Sequence, residues 1–228
     1  RITTLSARHV ASGDLDGNGK AELIADFGPE DGTWLQMNGG AWRQFNVLST
    51  DGITTGDLNG DGRDEVILDL GETHGTWAKI DNATWLKQNV LPSEHMITCD
   101  LDGSGGAELV LDFGSPHGIW IKRDFGAWEK INLSTGEGLA CGDMDGNGEQ
   151  DLAVDFGPQH GIYVYWNGET WAQITPLLPG AMAVADLDQD GEADLVADFG
   201  GGLGTQAWHR RTGAFEAFNV NPSRLIAV

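Results

Sequence analysis

Short apolar runs alternate with polar turns along the whole chain, and no segment carries a sustained helical period. Around residues 53–90 the pattern is easiest to follow. Ile53-Thr54-Thr55 is a strand-like run ahead of an acidic loop. Glu65 to Leu70 is nearly all apolar, as expected of a strand covered on both faces. Thr76 to Ile80 reads as a third strand, Asp81-Asn82-Ala83 as a turn, and Thr84 to Val90 as a fourth strand.

The same order recurs five times. Acidic loops begin at Asp14, Asp57, Asp100, Asp143 and Asp186, each step being 43 residues. The segments read DLDGNGKAELIADFG, DLNGDGRDEVILDLG, DLDGSGGAELVLDFG, DMDGNGEQDLAVDFG and DLDQDGEADLVADFG. Gly28, Gly71, Gly114, Gly157 and Gly200 end the second strand of each unit. Gly32, Gly75, Gly118, Gly161 and Gly204 precede the third. Four short antiparallel strands per ~40-residue unit predict a β-propeller. One four-stranded sheet cannot bury both of its faces, whereas blades stacked radially do so, and closing the ring protects the edges. The expected fold is therefore all-β: a single domain over residues 1–228 with five four-stranded antiparallel blades. An open array of blades is the alternative. Residues 1–13 and 216–228 both match the stretch ahead of each acidic loop, giving six copies of the first strand for five loops. The expectation is a closed five-bladed ring with overlapping termini, the alternative a piece cut from a longer array.

The repeated loop has the form D-x-[DN]-x-[DNS]-G-x-x-[DE], which places oxygen donors at alternate positions around a sharp bend. Calcium takes six to eight hard oxygens in a loose geometry, so this is a calcium-loop pattern. The candidate ligands are Asp14, Asp16, Asn18 and Glu22; Asp57, Asn59, Asp61 and Glu65; Asp100, Asp102, Ser104 and Glu108; Asp143, Asp145, Asn147 and Asp151; and Asp186, Asp188, Asp190 and Asp194. Backbone carbonyls of Lys20, Arg63, Gly106, Glu149 and Glu192 would complete the five sites. Site three is the weakest, because Ser104 replaces a stronger ligand. Magnesium fits poorly, since it keeps its waters and demands octahedral geometry. Gly19, Gly62, Gly105, Gly148 and Gly191 stand at the bend, where a positive φ suits glycine. Plain Asp/Gly turns would explain one such loop, but not five at fixed phase.

These loops and the strands after them resemble FG-GAP/VCBS repeats, as in integrin α-subunit propellers, bacterial surface proteins and the Psathyrella velutina lectin type. The resemblance covers the whole chain. It implies calcium between the first and second strands of each blade, an extracellular setting, and binding of proteins or glycans on the propeller faces or between blades. Well-known members have seven blades, however, and five are counted here, so ligand positions do not carry over.

Composition narrows the classes. The chain has 13 basic and 35 acidic residues, for a formal net charge of -22, which excludes the clustered Lys and Arg that nucleic-acid binding needs. Sixteen of those acids stand at the loop positions above, where close carboxylates call for a cation. No apolar run approaches the ~18 residues of a membrane-spanning helix. The first residue is Arg1, which suggests a mature form or an excised piece. Cys99 and Cys141 lie 42 residues apart, one residue out of phase with the repeat, so they need not face each other.

Aromatic residues recur at two phases. One is Trp34, Trp77, Trp120 and Tyr163; the other is Trp42, Trp85, Trp128 and Trp171, followed by Phe215 after a one-residue insertion. They read either as inter-blade packing or as faces for stacking sugar rings. His74, His117 and His160 recur just before the third strand and either contact a ligand or decorate a turn. Tyr165, Trp166, Trp208, His209, Arg210 and Arg211 break the repeat pattern on blades four and five and read either as another candidate ligand face or as a degraded terminal blade. Asp26, Asp69, Asp112, Asp155 and Asp198 end the second strands and read as turn caps, with a direct role at the metal site as the alternative. No GxSxG, HExxH or P-loop is present. The expectation is a non-catalytic, calcium-binding, lectin-like module of a secreted or cell-surface protein. A protein-binding adhesion or scaffold propeller is the alternative, and a polysaccharide-active enzyme the third reading.

Overall fold

A computed structural model describes residues 5–219. Twenty strands form five separate four-stranded antiparallel sheets, each a simple meander. Blade one contains β1 (His9–Gly13), β2 (Glu22–Asp26), β3 (Thr33–Gln36) and β4 (Trp42–Asn46). Blade two contains β5 (Gly52–Gly56), β6 (Glu65–Asp69), β7 (Thr76–Ile80) and β8 (Thr84–Asn89), with one helical turn, α1 (Gly71–His74), between its second and third strands. Blade three contains β9 (His95–Cys99), β10 (Glu108–Asp112), β11 (Ile119–Lys122) and β12 (Trp128–Asn132). Blade four contains β13 (Gly138–Gly142), β14 (Asp151–Asp155), β15 (Ile162–Trp166) and β16 (Thr170–Thr175). Blade five contains β17 (Ala181–Ala185), β18 (Asp194–Asp198), β19 (Thr205–His209) and β20 (Ala214–Asn219). The propeller architecture expected from the 43-residue period is therefore present, with α1 its one helical departure.

The second strand of each blade explains the stacking. Its residues alternate between two covered faces. Val66 and Leu68 pack toward blade one in a cluster with Leu15, Ile24 and Leu35, whereas Ile67 packs toward blade three with Leu109 and Leu111. Corresponding clusters join blades three to four and four to five. Backbone bonds repeat the junctions near the acidic loops: the N–H groups of Asp64, Ala107, Gln150 and Ala193 donate to the carbonyls of Asp14, Asp57, Asp100 and Asp143.

The expected ring closure involves residues that lie largely outside those described. Four hydrophobic clusters join consecutive blades, and among the described residues none joins blade five to blade one. The closing strand expected from residues 216–228 falls largely outside the described residues. Its described start, residues 216–219, belongs to the outermost strand of blade five.

Cys99 and Cys141 do face each other, and form a disulfide with a Cα–Cα distance of 6.2 Å. One residue out of phase is what the junction requires. At the phase of Cys99 other blades carry Gly13, Gly56 and Gly142, and a Cβ on Gly56 would lie 2.5 Å from the Thr98 hydroxyl of the next blade. Cys141 stands one period beyond Thr98. Where that contact would be a collision elsewhere, two sulfurs bond instead and tie blade three to blade four.

The loop bends have the backbone that the glycines imply, with φ from 81° at Gly19 to 92° at Gly148. Two residues earlier, Gly17, Gly60, Gly103 and Gly146 also have positive φ, but the fifth loop has Gln189 there, at φ 62°. A left-handed conformation costs an L-residue roughly 1–2 kcal/mol. Gln189→Gly is therefore expected to raise stability by about 1 kcal/mol. For a chain of this size that is a rise of roughly 2–4 °C in Tm, read by thermal unfolding.

Candidate functional site

Each acidic loop is built around its first aspartate, whose carboxylate accepts N–H bonds from residues three to five positions on. Asp14 accepts from Gly17, Asn18 and Gly19 at 2.6–3.0 Å. Asp57, Asp143 and Asp186 repeat the arrangement, and Asp100 accepts from Ser104 and Gly105. Desolvation works against ionisation of Asp14, but the Gly19, Asn18 and Gly17 N–H groups together outweigh it and hold the carboxyl below its usual range.

The last carboxylate of each loop opens the second strand and is buried. Glu22, Glu65, Glu108, Asp151 and Asp194 are all at most 3 % exposed. One oxygen of each accepts the N–H of the loop's second residue: Leu15, Leu58, Leu101, Met144 and Leu187 at 2.7–3.2 Å. In three blades the other oxygen accepts an N–H from the β3–β4-type turn, given by Asn38, Asp81 and Asn167. That turn also touches the loop rim, where the Asn38 amide donates to Asp16 at 2.8 Å and accepts from Asn18 at 2.7 Å. Sequence reading missed these turn residues, although their recurrence at 38, 81, 124 and 167 was a usable signal.

In four loops the predicted carboxylates converge. Oxygens of Asp14, Asp16 and Glu22 lie within 4.8 Å of one another, as do those of Asp100, Asp102 and Glu108, of Asp143, Asp145 and Asp151, and of Asp186, Asp188 and Asp194. Two of their oxygens, Glu108 Oε1 and Asp145 Oδ1, are buried without a hydrogen-bond partner. A buried carboxylate oxygen with no donor is costly, and a cation among such oxygens removes the cost. The donors are carboxylate, amide and hydroxyl oxygens, which suit a hard metal ion. The second loop has Asn59 where the other four have a second aspartate, so it brings one carboxylate fewer to that position.

The loops also differ in nearby cations. Arg123 lies 3.7 Å from Glu108 and 3.9 Å from Asp102. Arg210, which takes the phase of Asn38 and Asn167, approaches Asp145 at 3.8 Å and covers the Trp166 ring at 4.2 Å. Arg211 pairs with Asp190, and His209 with Asp194, both at 2.6 Å.

The aspartates ending the second strands are turn caps. Asp26, Asp69, Asp112, Asp155 and Asp198 accept the N–H of the glycine two residues on at 2.8–3.3 Å. Four residues of extended strand, about 13 Å, separate each from the metal-loop carboxylate of its own strand. That distance removes the alternative of a direct metal role.

The recurrent aromatic and histidine positions meet at the blade junctions. Asn89, Leu91, Phe113, His117, Trp120 and Trp128 line a cavity of about 240 Å³ between blades two and three. One period on, Asn132, Ser134, Phe156, His160, Tyr163 and Trp171 line a second cavity of about 240 Å³ between blades three and four. The second-phase tryptophans form the back wall, packed edge-on against Phe113 and at a tilt against Phe156. Their indole N–H groups reach the preceding blade, at Gln88 O and Ile131 O. The first-phase rings are half-buried, and Trp34, Trp77 and Trp120 donate their N–H groups to the carbonyls of Asp31, His74 and His117 in the adjoining turns. The side chains of His74, His117 and His160 are exposed at the rim. Lys87 and Lys130 each lie over one face of Trp77 and Trp120, at 5.5 and 4.8 Å. Trp208 differs: at 8 % exposure it packs in the core between blades four and five against Trp166, with no face turned to a ligand. Sequence reading missed the contribution of the preceding blade, Asn89 and Asn132, which recur with Asn46 at 43-residue spacing.

No family profile matches this chain, and no curated protein matches it by sequence. Solved structures do. An Agrocybe aegerita lectin, described for its recognition of non-reducing terminal N-acetylglucosamine, is 17% identical with a TM-score of 0.60, over 90% of this chain and 64% of the lectin. A Bacillus licheniformis rhamnogalacturonan lyase is 16% identical with a TM-score of 0.57, over 95% of this chain and 51% of the lyase. A chain from a nidogen/laminin complex is 13% identical with a TM-score of 0.61, over 98% of this chain and 82% of that one. These likenesses show a shared propeller fold. This chain spans about two thirds of the lectin and half of the lyase.

Burial pushes the carboxyls of Glu65 and Glu108 up to about 7 and that of Asp151 up to about 6. A carboxyl raised in the folded state binds more protons folded than unfolded, so stability falls as pH rises through the window from about 4 to about 7. In chelator, Tm is expected to fall between pH 5 and pH 7.5. A metal ion needs the deprotonated groups, so the Tm gain on adding it is expected to grow across the same range. Melts with and without metal at each pH measure both trends.

Proposed function

We propose that this chain is a carbohydrate-binding, lectin-like β-propeller module of an extracellular protein, and that its acidic loops hold calcium. The observation that carries the reading is the cavity repeated between blades. Two cavities of equal size, one period apart, present an aromatic ring, an imidazole and a polar side chain at the rim, with a tryptophan wall behind. Apolar ring faces beside sparse polar groups suit a pyranose, which has an apolar face and a hydroxyl edge. Repeated shallow sites on one rigid body favour a multivalent glycan through avidity. The likeness to a lectin fold supports the reading.

Calcium is the favoured ion because the loops offer many oxygen donors in an open, irregular arrangement. The disulfide between blades three and four supports an oxidising, extracellular setting, where calcium is plentiful enough for weak sites. Neither cavity is lined by a carboxylate, which favours binding over the paired-acid chemistry of glycoside cleavage. The likeness to a chain from a nidogen/laminin complex, over 82% of that chain, favours protein binding as the second reading.

Calcium would act on stability first. The unfolded chain has no preformed sites, so binding free energy becomes folding free energy. Excess chelator is expected to lower Tm markedly, and Asp14→Ala to cost less than loss of all five sites; an unchanged melt in chelator rules calcium out of the fold. A glycan-array screen of the calcium form tests the ligand. With a hit in hand, Trp120→Ala and Tyr163→Ala are each expected to weaken binding about tenfold, equivalent to ~1.4 kcal/mol. An array without hits moves the reading to a protein ligand.

A further inference from the structure

The outward faces of blades one and five carry the residues that pair at each internal junction, yet among the described residues no hydrophobic cluster joins them. Each internal junction gives a control for them. Leu15, Leu58, Leu101 and Met144, just after the first loop aspartate, are at most 5 % exposed because the next blade covers them; Leu187, their counterpart in blade five, is 39 % exposed. Phe45, Ile131 and Ile174 pack against the following blade, whereas Phe218 at the same phase is 57 % exposed. On the other side Ile53, Met96, Leu139 and Met182 pack onto the preceding blade, whereas Val10 is 57 % exposed. Leu23 is half-buried where Val66, Leu109, Leu152 and Leu195 are buried.

The contacts that these groups would make are visible one period away. Phe45 meets Trp85 of the next blade edge-on, ring centroids 5.4 Å apart. Phe218 and Trp42 are the corresponding pair; Trp42 meets Phe27 of its own blade just as Trp128 meets Phe113 within a formed junction. The series of carbonyls at Asp14, Asp57, Asp100 and Asp143 that accept an N–H from the next blade continues to Asp186, and the matching N–H belongs to Ala21.

We propose that these two faces form an interface between copies of this chain, with the outward face of blade five seated on the outward face of blade one of a second copy. The occupant is argued from the four internal junctions, since what covers this surface four times is another blade of the same repeat. The contact is heterologous, because the two faces differ, and so it propagates from copy to copy. It buries Val10, Leu23, Leu187 and Phe218 as their counterparts are buried inside the chain. The inference is independent of the glycan and calcium readings.

Sedimentation velocity of the whole chain over a wide range of concentration tests it. Multiples of the single-chain mass that grow with concentration are expected. Val10→Asp disables one face and Phe218→Asp the other, and both side chains are exposed, so the fold is retained, as circular dichroism would confirm; Leu187→Ser serves if Phe218→Asp does not fold. Each variant alone is expected to be monomeric. An equal mixture is expected to form a one-to-one dimer and nothing larger, since Val10→Asp keeps the blade-five face and Phe218→Asp keeps the blade-one face. A monomeric wild type overturns the proposal, as does association that survives in either variant alone or a mixture that stays monomeric. A monomeric wild type whose Tm drops on Phe218→Asp would mean that the faces meet within one chain instead.

Discussion

Everything in this structure hangs on a carboxylate buried at the foot of each acidic loop. Glu22, Glu65, Glu108, Asp151 and Asp194 are nearly inaccessible to water, and burying an unpaired charge costs several kcal/mol. The fold answers with fixed N–H donors from the second loop residue and from the turn across the sheet. Those bonds set the entry of the second strand, and that strand is the one buried on both faces. Its alternate residues then dictate a blade on either side. The oxygens left over, such as Glu108 Oε1, make a cation at the loop the simplest way to complete the site. The convergence of the loop carboxylates and the stacking of blades are thus two consequences of a single buried group.

Much of this was legible in the sequence because the repeat supplied its own control. A turn motif seen once is ambiguous, but five occurrences at one phase made the strand order, the converging loop carboxylates and the bend glycines readable. What remained illegible lies between repeats. The disulfide looked out of phase because phase was counted along the chain, whereas the bond forms across a junction where adjacent inner strands place a glycine phase beside a threonine phase. The same blindness hid Asn89 and Asn132, which contribute to cavities on the following blade. Trp208 was singled out because it broke the pattern, yet its departure serves packing: it fills the blade-four junction together with Trp166.

The five loops share one design but not one electrostatic setting. Loops one and two have no arginine within ion-pairing distance among the described residues, whereas loop three has Arg123, loop four Arg210 and loop five Arg211 and His209. A guanidinium beside a carboxylate offsets part of the repulsion that a metal ion would otherwise relieve. In the later blades part of that relief comes from the protein itself, although Glu108 Oε1 and Asp145 Oδ1 keep no donor there and leave the same opening for a cation. The arginines that break the repeat near Trp208 find a role here, as internal counter-ions of the acidic loops.

Junctions, not blades, are the unit of this molecule. Each hydrophobic cluster, each cross-blade backbone bond, the disulfide and both cavities need two neighbouring blades. A blade by itself has neither a sealed core nor a ligand cavity. It follows that the outward face of blade one already carries half of another site: Phe27, Trp34 and Trp42 stand where Phe113, Trp120 and Trp128 stand in the cavity between blades two and three, with Asp31 in the place of His117. Whatever blade seats against that face supplies the other half. On the proposed readings, assembly and glycan binding would then draw on the same surface, with an acidic side chain where the two observed cavities have an imidazole.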